Sequence, residues 1–486
     1  MVKVVVQQNV EAAQLKQVFC QTMAVAVKTI PRNPNLKTIE NLTLSIPHIA
    51  EAATSLTSWF TKDDLLLPFV GLIKFYEGKS AYAEAISWAE TSCSIAQAHL
   101  SSNHLDIANS LNNLAELYKT VGRYAEAENL FIRSLQMHEE HLGENHIATS
   151  LNLHNLALLY DVIGRYSDAE TLNKRALQIR VSQLGKEHLD IADSLNNLGL
   201  LYKSMGRYEE AEPLFKQALQ IRVNQLGNDD CVTAMSFNNL ATLYNDKGNY
   251  RLAESLYEKA IQILNTNLGK DHPMTATILN NLACLYDSTE RYKEAKILYK
   301  RVLLIRETCL GISHPDVATS LNNLATIYYA VEEYDESEIL FLRALQITEA
   351  CMGITHPDTA QSLNNLASLY TLMKRFDEAE SLHKRSLHIY TNYLGSTHPD
   401  TAICLNNLAR LYSAMKRYSE AESLYLQTLQ IWGHSLGQNH PYTKAAWNNF
   451  CKLIQQTMQS NRVTDLSNHP LTQEVLHFAG SIPPLP

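Results

Sequence analysis

The segment "LNNLAELY", which begins at Leu111, recurs every 42 residues without one slip in register. Successive steps land on Leu153 ("LHNLALLY"), Leu195 ("LNNLGLLY"), Phe237 ("FNNLATLY") and Leu279 ("LNNLACLY"), then on Leu321, Leu363, Leu405 and Trp447 ("WNNFCKLI"). One step back reaches Phe69, in a cryptic copy that keeps Tyr76, Tyr82 and Ala85 where the next has Tyr118, Tyr124 and Ala127. A period held this strictly means that every unit stacks on the last in the same way. A chain of 486 residues is also too long for one compact core. An elongated array follows from both.

Each unit reads as two helices. Leu195, Leu198, Gly199 and Tyr202 stand at i, i+3, i+4 and i+7, one apolar stripe. "SMGRY" (204–208) breaks the pattern, with Gly206 suited to a helix C-terminus. A second stripe follows in Ala211, Leu214, Phe215, Ala218 and Leu219, and small Gly199, Ala211 and Ala218 allow the two helices close approach. Glu170/Lys174, Glu212/Lys216 and Glu380/Lys384 are i, i+4 pairs that suggest a solvated outer face. The linkers "LGISHPD", "MGITHPD" and "LGSTHPD" end at Asp316, Asp358 and Asp400. In them glycine can cap one helix in a left-handed conformation, proline stops continuation, and aspartate is expected to N-cap the next helix. No such unit buries its apolar faces alone, so neighbours must stack into a solenoid.

The set Leu195, Leu198, Gly199, Tyr202, Ala211, Phe215 and Ala218 resembles the tetratricopeptide-repeat (TPR) consensus. The 42-residue unit, with "LNNLA" and "HPD", is similar to the kinesin-light-chain type. The resemblance covers residues 63–458, as nine helix pairs and a last unpaired helix around Trp447. It implies an all-α TPR solenoid, a right-handed superhelix of antiparallel helix pairs whose first helices line a concave groove. It does not imply a motor, because the heptad coiled coil by which kinesin light chains join their heavy chains is absent from these residues.

The ends differ. Residues 1–62 carry apolar periodicity (Leu15, Val18, Phe19; Ile46, Ile49, Ala53) broken by "IPRNPN" (30–35), and are expected to form a helical cap under the first repeat. Pro68 should start or kink the first repeat helix. "IPHIAEAATSL" and "LPFVGLIKFYEG" resemble the segment before such arrays in bacterial, particularly cyanobacterial, proteins, some with an upstream NTPase or effector domain. Residues 459–486 ("SNRVTDLSNHP" to "GSIPPLP") read as a mostly flexible tail with a turn or two of helix near Leu471–Phe478.

Composition narrows the function. A net charge of -9 over this length leaves no basic stripe for nucleic acid or an anionic membrane. No apolar run is long enough to span a bilayer. The 8 cysteines form no CxxC pair, so a reducing cytoplasm is the simplest compartment, with Cys284, Cys309, Cys351 and Cys404 as buried small hydrophobes. There is no phosphate loop, HExxH or GxSxG, and no cofactor motif.

Histidine forms a column at His104, His146, His188, His272, His314, His356, His398 and His440. Equivalent atoms of stacked repeats lie roughly 9 Å apart, too far to share one ion, so the column reads as linker architecture. "HEEHLGENH" is the one local cluster, with His138 and His141 on one helix face and a metal conceivable there.

Asparagine needs a separate reason, since it is a mediocre helix former. One column runs through Asn112, Asn196, Asn238, Asn280, Asn322, Asn364, Asn406 and Asn448, with His154 the exception. The next runs through Asn113, Asn155, Asn197, Asn239, Asn281, Asn323, Asn365, Asn407 and Asn449. The first column reads as inter-helix glue. The second is open between glue and site, because a carboxamide can both donate to and accept from a peptide backbone. By resemblance it matches the groove position that holds peptide backbones in related TPR domains. Specificity would come from the turns beyond it, at Glu116, Leu158, Leu200, Thr242, Cys284, Thr326, Ser368 and Arg410, then Lys119, Asp161, Lys203, Asn245, Asp287, Tyr329, Thr371 and Ser413. The expected function is a non-enzymatic cytoplasmic scaffold that binds a partner's peptide segment in the groove, with no cofactor, nucleic acid or membrane. A second reading is a sensor module for a separate or formerly fused NTPase or effector, and a third is a metal-dependent role at His138/His141.

Overall fold

The structure, a computed structural model, describes residues 2–32, 34–101 and 104–479. Three helices precede the repeats: α1 (Val2–Lys28), α2 (Leu36–Leu42) and α3 (Ile46–Ser55). The antiparallel pairs begin with α4 (Leu67–Gly78) and α5 (Tyr82–His99), then α6 (Leu105–Thr120) and α7 (Tyr124–Leu142), then α8 (Ile147–Val162) and α9 (Tyr166–Leu184). Next come α10 (Leu189–Ser204) and α11 (Tyr208–Leu226), α12 (Cys231–Asp246) and α13 (Tyr250–Asn267), and α14 (Pro273–Ser288) and α15 (Tyr292–Leu310). The last pairs are α16 (Pro315–Ala330) and α17 (Tyr334–Cys351), α18 (Pro357–Leu372) and α19 (Phe376–Leu394), and α20 (Pro399–Ala414) and α21 (Tyr418–Ser435). Helices α22 (Pro441–Gln459) and α23 (Pro470–Ala479) end the described chain. Each pair packs on the next, and the architecture is an α-solenoid without a strand among the described residues.

The small residues of the stripes let the helices touch. Ala115, Ala157, Ala241, Ala283, Ala325, Ala367 and Ala409 are fully buried on the first helices. At Gly199 an added Cβ would lie 2.9 Å from the Phe215 ring, so that pair packs more closely than alanine allows. Pro68 starts α4, since its missing N–H is one that the first turn leaves unpaired anyway. The cap forms through Val27, Ile39, Ile46, Ile49 and Ala53 against Phe69, Leu72 and Phe75. Leu15 and Val18 are not part of it: they face outward on α1, 71% and 58% exposed. Of the four cysteines expected to be buried, only Cys404 is wholly so; Cys309 and Cys351 instead donate to linker carbonyls at Asp271 and Ser313.

The aspartates of the linkers are not the N-caps. The preceding histidine is: Nδ1 of His104, His146, His188, His272, His314, His356, His398 and His440 accepts the backbone N–H two residues on. Asp316, Asp358 and Asp400 sit inside the first turn, where their charge favours the helix dipole.

Two of these histidines also join one superhelical turn to the next. With Nδ1 accepting, Nε2 carries the ring proton, and it donates to a carbonyl 236 positions away: His356 to Thr120 (3.0 Å) and His398 to Val162 (3.1 Å). One turn therefore takes between five and six repeats, and the second turn rests on the first. Gly122, Gly164 and Gly206 lie under that contact at positive φ, and an added Cβ would meet Tyr393 at 3.1 Å, His398 at 2.9 Å and His440 at 2.7 Å. The equivalent positions beyond the contact hold Glu290, Glu332, Lys374 and Lys416, still at φ of 59–64°. Positive φ favours glycine throughout; the overlying turn requires it only in the early repeats.

The C-terminal residues, expected to be mostly flexible, are docked as far as Ala479; residues 480–486 lie outside the described part. Glu422, 1% exposed, accepts the Ser467 N–H (2.8 Å), the Ser467 hydroxyl (2.7 Å) and the Thr472 hydroxyl (2.5 Å). Val475 of α23 is buried in the same cluster as Leu453 and Ile454 of α22, so the last long helix is covered.

Two tests follow. Gly248→Ala should cost about 1 kcal/mol, the penalty of left-handed backbone alone, and Gly206→Ala clearly more because His440 must move. Replacing Glu290, Glu332, Lys374 and Lys416 by glycine should stabilise the fold; chemical denaturation reads both. Burial holds the His356 and His398 imidazoles below their ordinary 6.5. The unfolded chain therefore binds protons that the folded chain refuses, so stability present above pH 6.5 is lost as pH falls below it. Thermal melts of a His356→Asn/His398→Asn variant, which keeps a cap acceptor, should show a shallower loss between pH 6.5 and 5 than the parent.

Candidate functional site

Successive first helices approach one another more closely than successive second helices do, so the first-helix face is the concave one. The two asparagine columns meet there. The second-column amide donates to the first-column oxygen of the repeat before: Asn155 to Asn112 (3.0 Å), Asn239 to Asn196 (2.7 Å), Asn281 to Asn238 (2.9 Å), Asn323 to Asn280 (2.9 Å) and Asn449 to Asn406 (3.2 Å). Asn197 reaches His154 instead, at 3.3 Å. Both columns are thus joined in one inter-repeat ladder, which the sequence reading had treated separately.

Three second-column residues fall outside the ladder. Asn113 is exposed and has no ladder partner, since Val70 stands in the preceding repeat where an asparagine would accept its amide. Asn365 is released because Asn322 turns its amide to the Ser362 hydroxyl (3.1 Å). Asn407 is released because the Asn364 oxygen takes the His383 ring (2.9 Å).

The positions one and two turns further on divide. Thr242 and Cys284 point at the second helix of their own repeat, where the hydroxyls of Tyr257 and Tyr299 donate to them at 3.0 Å. Lys119 pairs with Glu116 (2.7 Å) and Lys203 with Asp246 of the next repeat (3.0 Å), while Arg410 is exposed. Burial pushes the Asp161 carboxyl up to about 6 and raises Asp287 as well. Most of the lining's charge lies early, with Arg410 the late exception, and its lysines are already neutralised by neighbours.

The structure adds a junction that the sequence reading missed. The tyrosine of "LY" donates to a glutamate of the previous second helix: Tyr160 to Glu128, Tyr202 to Glu170, Tyr286 to Glu254, Tyr370 to Glu338 and Tyr412 to Glu380, at 2.7–2.9 Å. The arginine five residues later stacks on that ring at 3.8–4.1 Å and binds the same glutamate at 2.6–2.9 Å. Glu170, Glu212 and Glu380 form their expected i, i+4 pairs with exposed lysines, and Glu170 and Glu380 are in addition members of this junction, while Glu212 takes Tyr244 and Lys247, with Asn249 at the arginine's place. Hydrogen bonds from Lys174, Arg207 and Tyr202 hold the Glu170 carboxyl down at about 2, against the opposing effect of burial. One repeat inverts the charges: Lys296 stands in the glutamate's place and Glu333 in the arginine's, bridged at 2.8 Å with Lys296 over the Tyr328 ring. Such a swap within one chain was the available sequence signal.

His138 and His141 do not form a metal centre. The His138 ring is buried with Nδ1 on the Ser134 carbonyl (2.9 Å), and His141 is exposed. Among the described residues no three metal-ligating side chains converge, and no helix is long and apolar enough to cross a membrane.

A family profile, Tetratricopeptide repeat, matches residues 65–140, 106–180, 147–222, 232–308, 316–392 and 358–434. No curated protein matches. Among solved structures, BtubC (BKLC) from P. vanneervenii is 26% identical over 49% of this chain and 94% of that one, with a TM-score of 0.39. Nearly identical TPR-like repeats of kinesin-light-chain type from Podosopora anserina are 25% identical over 43% and 98%, with a TM-score of 0.37. A Rap protein complexed with Competence and Sporulation Factor is 14% identical over 72% and 99%, with a TM-score of 0.45.

The inverted junction gives the sharpest test. Lys296→Glu alone should lower the melting temperature by placing two carboxylates together, and Glu333→Arg alone by placing two cations together. The double variant should return most of the loss, with a coupling of about 1 kcal/mol in a double-mutant cycle; additive losses would show that the pair does not communicate.

Proposed function

The chain belongs to the tetratricopeptide-repeat family, and on that premise we propose that it is a protein–protein interaction scaffold holding an extended segment of a partner along its first-helix face. The observation that carries this is the amide ladder. One N–H of each ladder asparagine is spent on the repeat before, which fixes the carboxamide's orientation. In Asn281 and Asn323 the oxygen and the second N–H are left over, as acceptor and donor. A row of such groups, one per repeat, suits a peptide backbone of any sequence, and their fixed geometry lowers the entropy lost on binding. Repeats stacked roughly 9–10 Å apart match about three residues of an extended strand at 3.3 Å per residue.

Asn113, Asn365 and Asn407 serve the same ligand from outside the ladder, with Lys119, Lys203 and Arg410 at the margin. The reading requires no catalytic step, and the polar, largely neutralised lining favours a segment without strong net charge.

The test is selection of peptides from a random library, followed by fluorescence anisotropy on the selected sequences. Asn365→Ala/Asn407→Ala should weaken binding at least tenfold without changing the thermal melt. Asn281→Ala/Asn323→Ala should weaken binding and lower the melt, since it opens the ladder. Selected peptides that are indifferent to both pairs, or a selection that yields none, would remove the proposal.

A further inference from the structure

The contact between superhelical turns is closed at two repeats and open at the one before them. His356 donates to the Thr120 carbonyl and His398 to that of Val162, each the last residue of a first helix. The preceding pair in this series is His314 and Gly78, the last residue of α4. His314 caps α16 through Nδ1 (3.1 Å), but its Nε2–H has no acceptor among the described residues. At the far end His440 forms no such bond either, yet its ring is packed against Gly206 and Tyr442. Ser80 accounts for the opening. It stands at φ 56° where the next repeats have Gly122 and Gly164, at which an added Cβ would meet the overlying turn; serine carries that Cβ. The turns part there around a cavity of about 990 Å³, with Gly78, Thr120 and His314 on its wall.

A second group on that wall is only half-partnered. Arg306 of α15 is 9% exposed, and its Nη1 donates to the Asp316 carbonyl (3.0 Å) and the Ser320 hydroxyl (2.8 Å). Its counterparts in earlier repeats spend further donors inside the chain: Nε of Arg180 on the Ser150 hydroxyl (3.0 Å) and Nη2 of Arg222 on the Asp193 carboxylate (2.5 Å). At the matching places Arg306 has Ala276 and Thr277, and the Thr277 hydroxyl is turned to the Pro273 carbonyl (3.3 Å). Its Nε and Nη2 therefore have no partner among the described residues, and Asp316 acts on its charge only from beyond ion-pairing distance. A buried cation left in this way is costly unless an anion reaches it. Arg32, Lys37 and Lys270 add exposed positive charge at the cavity's edge, none of it in an ion pair among the described residues. Of the carboxyls there, Asp271 pairs with Arg301 (3.8 Å), and burial pushes Glu77 up to about 7, so that it can meet an anion in protonated form. Asp316 alone keeps an unpaired charge, and it is exposed.

We propose that this cavity binds a small molecule bearing a phosphate monoester. The free edge of the Arg306 guanidinium, Nε and Nη2, suits two oxygens side by side, and the Nε2–H of His314 supplies a donor for the third. The two side chains are near enough for the Arg306 charge to act on the His314 ring. Pro34, Leu268, Met274 and Leu310 line the remainder and suit an apolar body, in a volume typical of small-molecule sites. A ligand held there joins the N-terminal segment and the end of α4 to α15 and α16, the link between turns that His314 does not make, and it leaves the first-helix face open.

Isothermal titration of the full chain with phenyl phosphate tests this. The parent should bind it at a single site with a dissociation constant below about 1 mM, and saturating phenyl phosphate should raise the melting temperature. Benzoate, with one charge and two oxygens, should bind at least about tenfold more weakly. Thr277→Asp gives Arg306 the partner that Arg222 already has, and Ala276→Ser gives it the one that Arg180 has. Each should keep or raise the melt of the free chain while weakening phenyl phosphate at least about tenfold. His314→Asn, which keeps a cap acceptor, should also weaken binding, whereas His398→Asn, at a closed contact further along, should not. A parent that binds no phenyl phosphate at about 10 mM, equal affinity for benzoate, or binding indifferent to Thr277→Asp would overturn the proposal.

Discussion

One junction, written over and over, holds this array together. A tyrosine hydroxyl and an arginine of one repeat converge on a glutamate of the repeat before, with the guanidinium lying on the tyrosine ring. The apolar stripes bring neighbouring pairs together, but apolar contact is tolerant of direction. The planar fork of arginine and the fixed tyrosine hydroxyl are not, and they set the angle between repeats. Where the array ends, the same glutamate position explains the ending. Glu422 has Ile454 and Gln459 where a tyrosine and an arginine would stand, and the serine and threonine hydroxyls of the C-terminal segment fill the gap. A buried carboxylate without those donors would carry a heavy desolvation cost, so the segment docks rather than trails.

A constant angle repeated enough times brings the chain back over itself. The contact between turns explains a pattern that looks arbitrary in one dimension. Gly122, Gly164 and Gly206 are glycines because a histidine or tyrosine from the next turn lies against them. Glu290, Glu332, Lys374 and Lys416 share their backbone conformation but not that contact, so a side chain is tolerated at the cost of local strain. His356 and His398 do two jobs with one ring, as helix cap through Nδ1 and as bridge between turns through Nε2. Only the cap needs the uncharged imidazole, since Nε2 donates in either state; it is burial between the turns that resists protonation of His356 and His398 and makes this contact acid-sensitive.

Most of the architecture was legible in the sequence. The helix pairs, the close approach at Gly199 and the entry of α4 at Pro68 all follow from local pattern. The first-column asparagines were legible as glue, while the second column's share in the same ladder was not, because the bond joins residues 43 apart on different helices. The cap residue was misread for a physical reason: aspartate is the commoner N-cap, but the linker geometry puts the histidine at the cap and the aspartate inside the first turn. The i, i+4 pairs of Glu170, Glu212 and Glu380 with lysine were legible and form, but nothing local reports the arginine of the next repeat that also binds Glu170 and Glu380. Leu15 and Val18 fit a buried stripe by spacing alone, yet α1 packs through Val27, one of whose methyls would lie 2.6 Å from a Cβ added at Gly71.

By itself the sequence determined the unit, its period and its stacking, since these rest on local periodicity and on interactions that every repeat writes in the same form. Only the tertiary structure decided how tightly the array coils, which repeats touch across a turn, which asparagines the ladder frees and where the contact between turns opens into a cavity. Those properties depend on the small rotation between neighbouring units. That rotation comes from side-chain packing angles that no single repeat records, and its effect becomes visible only when several repeats have added it together.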